Sequence, residues 1–184
     1  MSLEMHTYVP ALDAALVAAW LRRLNELGMK CEVHPGIAWD SHSGFLPFKL
    51  QVQDSAHIKL NGVDFLTGFE YYSEPFSLES ELESTRQADE MSASYSSPEV
   101  DRRLSSCRRR LVFCWGSSDM FELRMAMVSS AVVAEVGDGV ACYPADGIWY
   151  DAGWTAERAL GEARDYENSL KGRGLKYHKF ERWL

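Results

Sequence analysis

The chain has 184 residues, of which 46% are hydrophobic and 12% aromatic, and its formal net charge is −8 at pH 7. This composition predicts one folded domain with a sizeable core and excludes a chain that is disordered throughout. The negative charge argues against nucleic acid and anionic membranes as partners, because both attract proteins that carry excess positive charge.

The longest uninterrupted apolar run, residues 14–21, is too short to cross a bilayer. Asp13 precedes this run and Arg22 follows it, which is not the pattern of a secretory signal. We therefore predict a cytoplasmic protein without a membrane partner. The opening Met-Ser-Leu is either native or an expression scar, in which case Met5 is the native start.

The first third of the chain predicts one helix and an antiparallel meander. Residues 10–27 carry apolar side chains at helical spacing, and Gly28 supplies a stop. Short alternating runs predict strands at 30–34 and 45–52. Asn-Gly at 61–62 is a strong hairpin signal, and it predicts a tight turn between the run HIKL and a long aromatic strand.

The segment 77–97 is acidic, rich in serine and poor in apolar residues. It buries too little apolar area to offset the entropy lost on ordering, so we predict a mobile insertion. Ser96 and Glu99 then have the spacing of a capping box, which predicts a short helix that ends near Arg108.

Residues 110–143 predict a buried strand, a helix from 119 to 136 and a second buried strand. This helix is apolar around most of its circumference, so we predict that it is largely buried. We expect almost complete burial of Phe121, Met125, Val128 and Val132. Thr155 can cap a last helix that runs to about residue 171, and the tail forms an edge strand or docks. The predicted fold is therefore a single α+β domain over 1–184, with a mostly antiparallel sheet and about three main helices.

Motifs for catalysis are weak in this chain. The serines at 117 and 118 lack the glycine pattern of a nucleophile elbow, and no phosphate-binding loop or dinucleotide fingerprint is present. The only loose metal-like set lacks ligand spacing and comprises His34, Asp40, His42 and His57. We expect no catalytic residue, no cofactor and no metal. The alternative is a small hydrolase or ligand-binding enzyme that uses histidine or carboxylates, such as Asp64, Glu70 and Glu74, in an aromatic cleft.

Two aromatic regions are candidates for binding. On the predicted strand FEYY, Glu70 and Tyr72 share one face, which is either semi-exposed sheet or a recognition surface. Asp146, Trp149 and Trp154 lie in a glycine-flanked loop that either closes the core or lines a groove. These five residues are the predicted binding residues.

The segment AVVAEVGDGVACYPADGIWYD, residues 131–151, resembles a pattern in small bacterial α+β proteins. In that pattern an alanine-rich helix leads through a Gly-x-Gly turn to a short strand and a turn with proline and aspartate. Some families that share it are similar to immunity proteins of polymorphic or type VI-secreted toxins, although here Tyr143 replaces the usual acidic residue. The resemblance implies a non-enzymatic protein-binding role in the bacterial cytoplasm. A basic toxin is the partner that the acidic charge favours, and a homodimer stays open.

Overall fold

A computed structural model describes residues 3–55, 57–79, 97–116, 119–150, 153–170 and 175–183. Within these ranges lie four α-helices and eight strands, and every pairing between these strands is antiparallel. The predicted α+β class with a mostly antiparallel sheet is confirmed. The predicted mobile insertion lies almost entirely outside the described residues, as do the serines at 117 and 118.

The strands are β1 (Leu3–Val9), β2 (Lys30–Val33), β3 (Gly44–Gln51), β4 (Asp64–Pro75), β5 (Arg109–Trp115), β6 (Val140–Tyr143), β7 (Ile148–Tyr150) and β8 (His178–Lys179). The helices are α1 (Ala14–Glu26), α2 (Pro98–Leu104), α3 (Glu122–Val136) and α4 (Ala156–Ser169). Asp13, Ser97 and Thr155 cap the first turns of α1, α2 and α4 with their side chains. These caps satisfy backbone N–H groups that a helix start leaves without partners.

The sheet has the order β2-β3-β4-β5-β1-β6-β7, and β8 pairs with the first half of β4. Strand β1 therefore lies in the middle of the sheet, between β5 and β6. The sequence did not predict this strand. Its inward positions include Thr7, which is buried and bonds Ser130 on α3, so the pattern of apolar residues at every second position is interrupted.

The run HIKL was predicted as a strand, and this prediction is wrong. Residues Ile58–Leu60 form one 3-10 turn, and Ile58 is 82% exposed. The hairpin joins β3 to β4, so the Asn-Gly pair lies within a 12-residue connection instead of a two-residue turn. The side chain of Asn61 accepts a hydrogen bond from the Ser55 backbone, which stabilises this connection.

Three helices cover one face of the sheet and enclose the main core. Helix α3 packs at its centre and touches both α1 and α4. Phe121, Met125, Val128 and Val132 are all fully buried, as predicted. The glycine after α3 permits a close approach, because a Cβ at Gly139 would lie 2.3 Å from the Tyr8 carbonyl oxygen. Helix α3 thus returns directly into β6 beside β1.

A smaller cluster covers part of the opposite face of the sheet. Helix α2 contributes Val100 and Leu104, which pack with Tyr8, Phe76 and neighbouring residues of β6. The rest of this second face carries no described helix. We call this whole second face of the sheet the outer face.

A buried ion pair links α3 to α4. Arg124 of α3 is fully buried and donates two hydrogen bonds of 2.7 Å to Glu167 of α4, which is 2% exposed. It also contacts Asp54 at 2.9 Å, and Asp54 in turn binds Arg164. Paired and hydrogen-bonded charges of this kind are the form in which a guanidinium is tolerated in a core.

No helix in the described part of the chain has both the length and the apolar character needed to cross a bilayer.

Candidate binding face

The strand register places two rows of side chains across the outer face. One row runs from Phe45 through Glu70 and Cys114 to Glu4. The second row crosses five strands in the order Tyr72, Val112, His6, Cys142 and Trp149. Three of the five predicted binding residues, Glu70, Tyr72 and Trp149, therefore share one face of the sheet.

The outer face is aromatic and acidic where it is open. Phe45 and Tyr72 expose 41% and 40% of their surface, and the side chain of Glu4 exposes 44%. Glu70 is exposed and forms no hydrogen bond or ion pair with a described residue. We define Glu4, Phe45, Glu70 and Tyr72 as the acidic-aromatic face.

Sequence reasoning missed Phe45 and Glu4 as members of this face. Phe45 lies across Gly68 of β4, because a Cβ added to that glycine would come within 2.9 Å of Phe45 Cζ. The glycine makes room for a ring that stays half in solvent. The alternation of side chains along β3 could have predicted the position of Phe45. Phe48 and Leu50 point inward, and Phe45 lies three positions before Phe48, so it points to the opposite face.

The two tryptophans of the predicted loop lie on opposite sides of the sheet. Trp149 of β7 is half-buried, with its ring centroid 5.5 Å from that of Tyr8 on the outer side. Trp154 is 7% exposed and stacks on Tyr150 at 4.1 Å, within the main core. Asp146 is exposed in the turn before β7. The loop therefore closes the core with one tryptophan and borders the outer face with the other.

Polar groups at one end of the acidic-aromatic face form a chain centred on a carboxylate. Glu4 accepts hydrogen bonds from His6 at 3.1 Å and from Cys114 at 3.4 Å. Burial, together with Glu4 and Glu70, raises the pKa of the Cys114 thiol to about 12. Burial also lowers the pKa of His6 below 6.5, against the opposing effect of Glu4. The thiol stays protonated at neutral pH, which removes the thiolate that nucleophilic catalysis requires.

The carboxylates proposed for the enzymatic alternative are not brought together. Asp64, Glu70 and Glu74 lie on β4 at successive separations of six and four residues, which is about 20 Å and about 13 Å along a strand. Carboxylate pairs in glycosidases lie about 5 to 10 Å apart. In addition, Glu74 binds Arg110 at 2.7 Å and Asp64 accepts from Gln51 at 3.1 Å, so two of the three already have partners.

Two histidines of the loose metal-like set contact different aromatic residues. His34 packs against Trp183, whereas His42 stacks on Tyr71. Among the residues that the structure describes, no group of three histidine, cysteine or acidic side chains lies close enough to hold a metal ion.

A buried acid precedes α3. Asp119 is 7% exposed, and its Oδ1 accepts hydrogen bonds from the Phe121 backbone at 2.7 Å and from Thr67 at 3.2 Å. Its Oδ2 is buried without a partner. Burial therefore raises the pKa of Asp119 from 3.8 to about 6, although both hydrogen bonds act in the opposite direction. Asp119 and Glu122 have the sequence spacing of a capping box, but Glu122 accepts a hydrogen bond from the Gly116 backbone and not from the backbone of Asp119.

We expect Asp119 to make the protein less stable as pH rises from 4 to 6. Between pH 4 and 6 the Asp119 carboxyl keeps its proton in the folded protein but has lost it in the unfolded chain. The free energy of unfolding therefore falls as pH rises through this window. Above the pKa that Asp119 has in the folded protein, its contribution no longer changes with pH. A shift of about two pKa units corresponds to about 3 kcal/mol. Urea unfolding of the Asp119→Asn variant and of the parent protein at several pH values measures how the free energy of unfolding depends on pH.

The difference in unfolding free energy between Asp119→Asn and the parent should grow in favour of the variant between pH 4 and 6, then stay constant. Asp146→Asn, at an exposed turn, serves as the control for a surface carboxylate. A difference at Asp119 that does not change with pH contradicts the assignment.

When the chain was compared with protein-family models, with curated proteins and with solved structures, no match was found.

Proposed function

We propose that the protein is a non-enzymatic protein-interaction module that binds a basic partner through the acidic-aromatic face. The observation that carries the proposal is the exposure of Phe45 and Tyr72 beside carboxylates on an open sheet. Tyrosine offers a large contact area at little entropic cost, and aromatic residues are enriched at the centres of interfaces.

Charge supports a basic partner. Glu70 forms no ion pair with a described residue, and Glu4 bonds only neutral or weakly basic groups, the thiol of Cys114 and the imidazole of His6. The net charge of −8 adds a field of the same sign. An acidic surface speeds association with a basic protein and suppresses acidic competitors.

The resemblance of residues 131–151 to immunity-type proteins gives this module a biological setting. We propose that the partner is a toxin, that the protein acts in the bacterial cytoplasm, and that it inhibits by occupying the partner's surface. Such a role needs no catalytic group, which agrees with the protonated Cys114 and the dispersed carboxylates of β4.

The proposal is tested by photo-crosslinking from the acidic-aromatic face. A photoreactive phenylalanine is placed at Tyr72, and at Tyr166 of α4 as the matched control, since both tyrosines are 40% exposed. We expect one basic protein to be crosslinked from position 72 and not from position 166. Equal products from both positions, or none from position 72, contradict the proposal.

The crosslinked protein, once purified, gives the quantitative test. Tyr72→Ala should weaken its affinity at least about 30-fold, which is the effect of losing a central aromatic anchor. Glu70→Gln should slow association and reduce its salt dependence. Tyr166→Ala should change neither, and melting temperatures should stay within a few degrees. Trp149 is less suitable for this test, because it packs against Tyr8 and its loss also affects folding.

The toxin assignment is tested separately by growth. The product of the neighbouring gene is expressed in a host with the parent protein, with Tyr72→Ala or with Tyr166→Ala. An immunity role is supported if this product arrests growth, if the parent protein and Tyr166→Ala restore growth, and if Tyr72→Ala does not. A product that leaves growth unchanged contradicts it.

A further inference from the structure

One carboxylate of the acidic-aromatic face has an aromatic ring on each side of it. Glu70 lies directly opposite Phe45 across β3 and β4, and Tyr72 follows Glu70 by two residues on the same face. The ring of Phe45 leans over Gly68, two residues before Glu70, so the rings flank the carboxylate along β4. Both rings are partly exposed, and neither contacts another ring of a described residue.

Glu70 is the carboxylate of this face that the described residues leave free. Glu4, in the same row, already accepts hydrogen bonds from a thiol and an imidazole. The basic side chains that β3 and β5 present to the outer face are Lys49 and Arg110, and both are paired with other carboxylates. A cation from a partner therefore meets Glu70 without displacing a cation of this chain.

The carboxylate of Glu70 is also open toward the start of β3. Apart from chain neighbours, the only atom of a described residue within 4 Å of a Cβ added to Gly44 would be Glu70 Oε2, at 3.8 Å. Glycine at this position thus leaves one carboxylate oxygen without side-chain cover. An open carboxylate between flat apolar surfaces suits a planar cation that can use both features at once.

Arginine has these properties and lysine does not. A guanidinium donates two parallel hydrogen bonds to one carboxylate and stacks on aromatic rings. It is also more weakly hydrated than an ammonium group, so it loses less when it is placed against a ring. The ammonium of lysine is a compact and strongly hydrated point charge, which can bind the carboxylate but gains less from the rings.

We propose that Glu70, Phe45 and Tyr72 bind an arginine side chain of the partner and prefer it to lysine. The guanidinium donates to the carboxylate of Glu70, and the methylene stem of the arginine lies against the rings. This inference rests on the protein-binding function proposed above, and it names the chemistry of the residue by which the partner is anchored.

The test uses the N-acetyl, methylamide derivatives of L-arginine, L-lysine and L-citrulline, since citrulline has the shape of arginine without its charge. Each is titrated into the full chain, and the ring signals of Phe45 and Tyr72 are followed by ¹H–¹³C NMR after assignment with leucine variants. We expect saturable shifts of both rings with the arginine probe, binding of the lysine probe at least about fivefold weaker, and no saturable shift with citrulline. The ring of Tyr166 should not move.

Variants separate the contact with Glu70 from the general negative field. Glu70→Gln should weaken binding of the arginine probe at least about tenfold, because it removes the charged acceptor. Glu162→Gln removes one negative charge on α4, where the side chain is 43% exposed, and should leave binding unchanged. The inference is overturned by ring signals that do not move with the arginine probe, by a lysine probe that binds as tightly, or by equal effects of the two variants.

The outcomes also separate this inference from the proposed function. A basic protein that is crosslinked from position 72, together with ring signals that do not respond to the arginine probe, would overturn the arginine site and leave the interaction module standing. Saturable and arginine-specific shifts, without any protein crosslinked from position 72, would support the site and contradict the proposed function.

Discussion

Replacement of Arg124 by methionine is expected to lower the free energy of unfolding by about 3–5 kcal/mol. The substitution removes both hydrogen bonds to Glu167, which is 2% exposed and has no other described cationic partner. A buried carboxylate without its partner retains the full cost of desolvation. Urea unfolding, followed by circular dichroism, measures the loss.

The double variant Arg124→Met with Glu167→Leu separates the pair from its surroundings. It should recover most of the loss, because replacing a buried ion pair by apolar residues of similar size is often neutral or stabilising. Asp54 keeps Arg164 as a partner in both variants. The exposed pair of Arg158 and Glu162, 3.3 Å apart on α4, is the control and should contribute less than about 1 kcal/mol. Strictly additive losses at positions 124 and 167 would contradict this account.

Val128→Asp is expected to destabilise the protein by more than about 3 kcal/mol. Val128 is fully buried on α3, and the guanidinium of Arg124, one turn earlier on the same helix, is already held by Glu167 and Asp54. An aspartate there would be charged without a partner, or neutral at the cost of a raised pKa. The variant should unfold at lower urea concentration or fail to accumulate in folded form.

Val128→Thr distinguishes charge from shape at the same position. Threonine has nearly the same shape as valine and adds only a hydroxyl group, so its cost should be about 1–3 kcal/mol and smaller than that of aspartate. A soluble Val128→Asp variant that unfolds cooperatively at a near-native temperature would contradict the position of α3 in the core.

The contrast between positions 124 and 128 shows what a helical pattern leaves open. The sequence predicts that α3 is buried, because apolar residues occupy most of its circumference. It does not predict that an arginine in the same helix is buried too. The partners of Arg124 lie 43 and 70 residues away along the chain, and only the tertiary structure brings them to the guanidinium.

The binding face was partly predictable. Strand alternation correctly placed Glu70 and Tyr72 on one side of β4 and Phe69 and Tyr71 on the other, since period two is a property of the extended backbone. Spacing along the loop said nothing of the sides taken by Trp149 and Trp154. Their separation depends on β7, which pairs with β6 as a short edge strand that the sequence did not predict.

Local chemistry determined much of this protein by itself: the cap at Thr155, the buried helix, and the alternation of β4 all follow from residues within a few positions of one another. The cap of α2 is Ser97, one residue after the predicted Ser96. Long-range pairing decided the rest. Strand β1 pairs with β5 and β6, which lie 100 or more residues further along the chain, and its side chains Glu4 and His6 each complete one of the two rows of the outer face. The buried pair of Arg124 and Glu167 likewise requires α3 and α4 to pack together, and no local pattern encodes that contact.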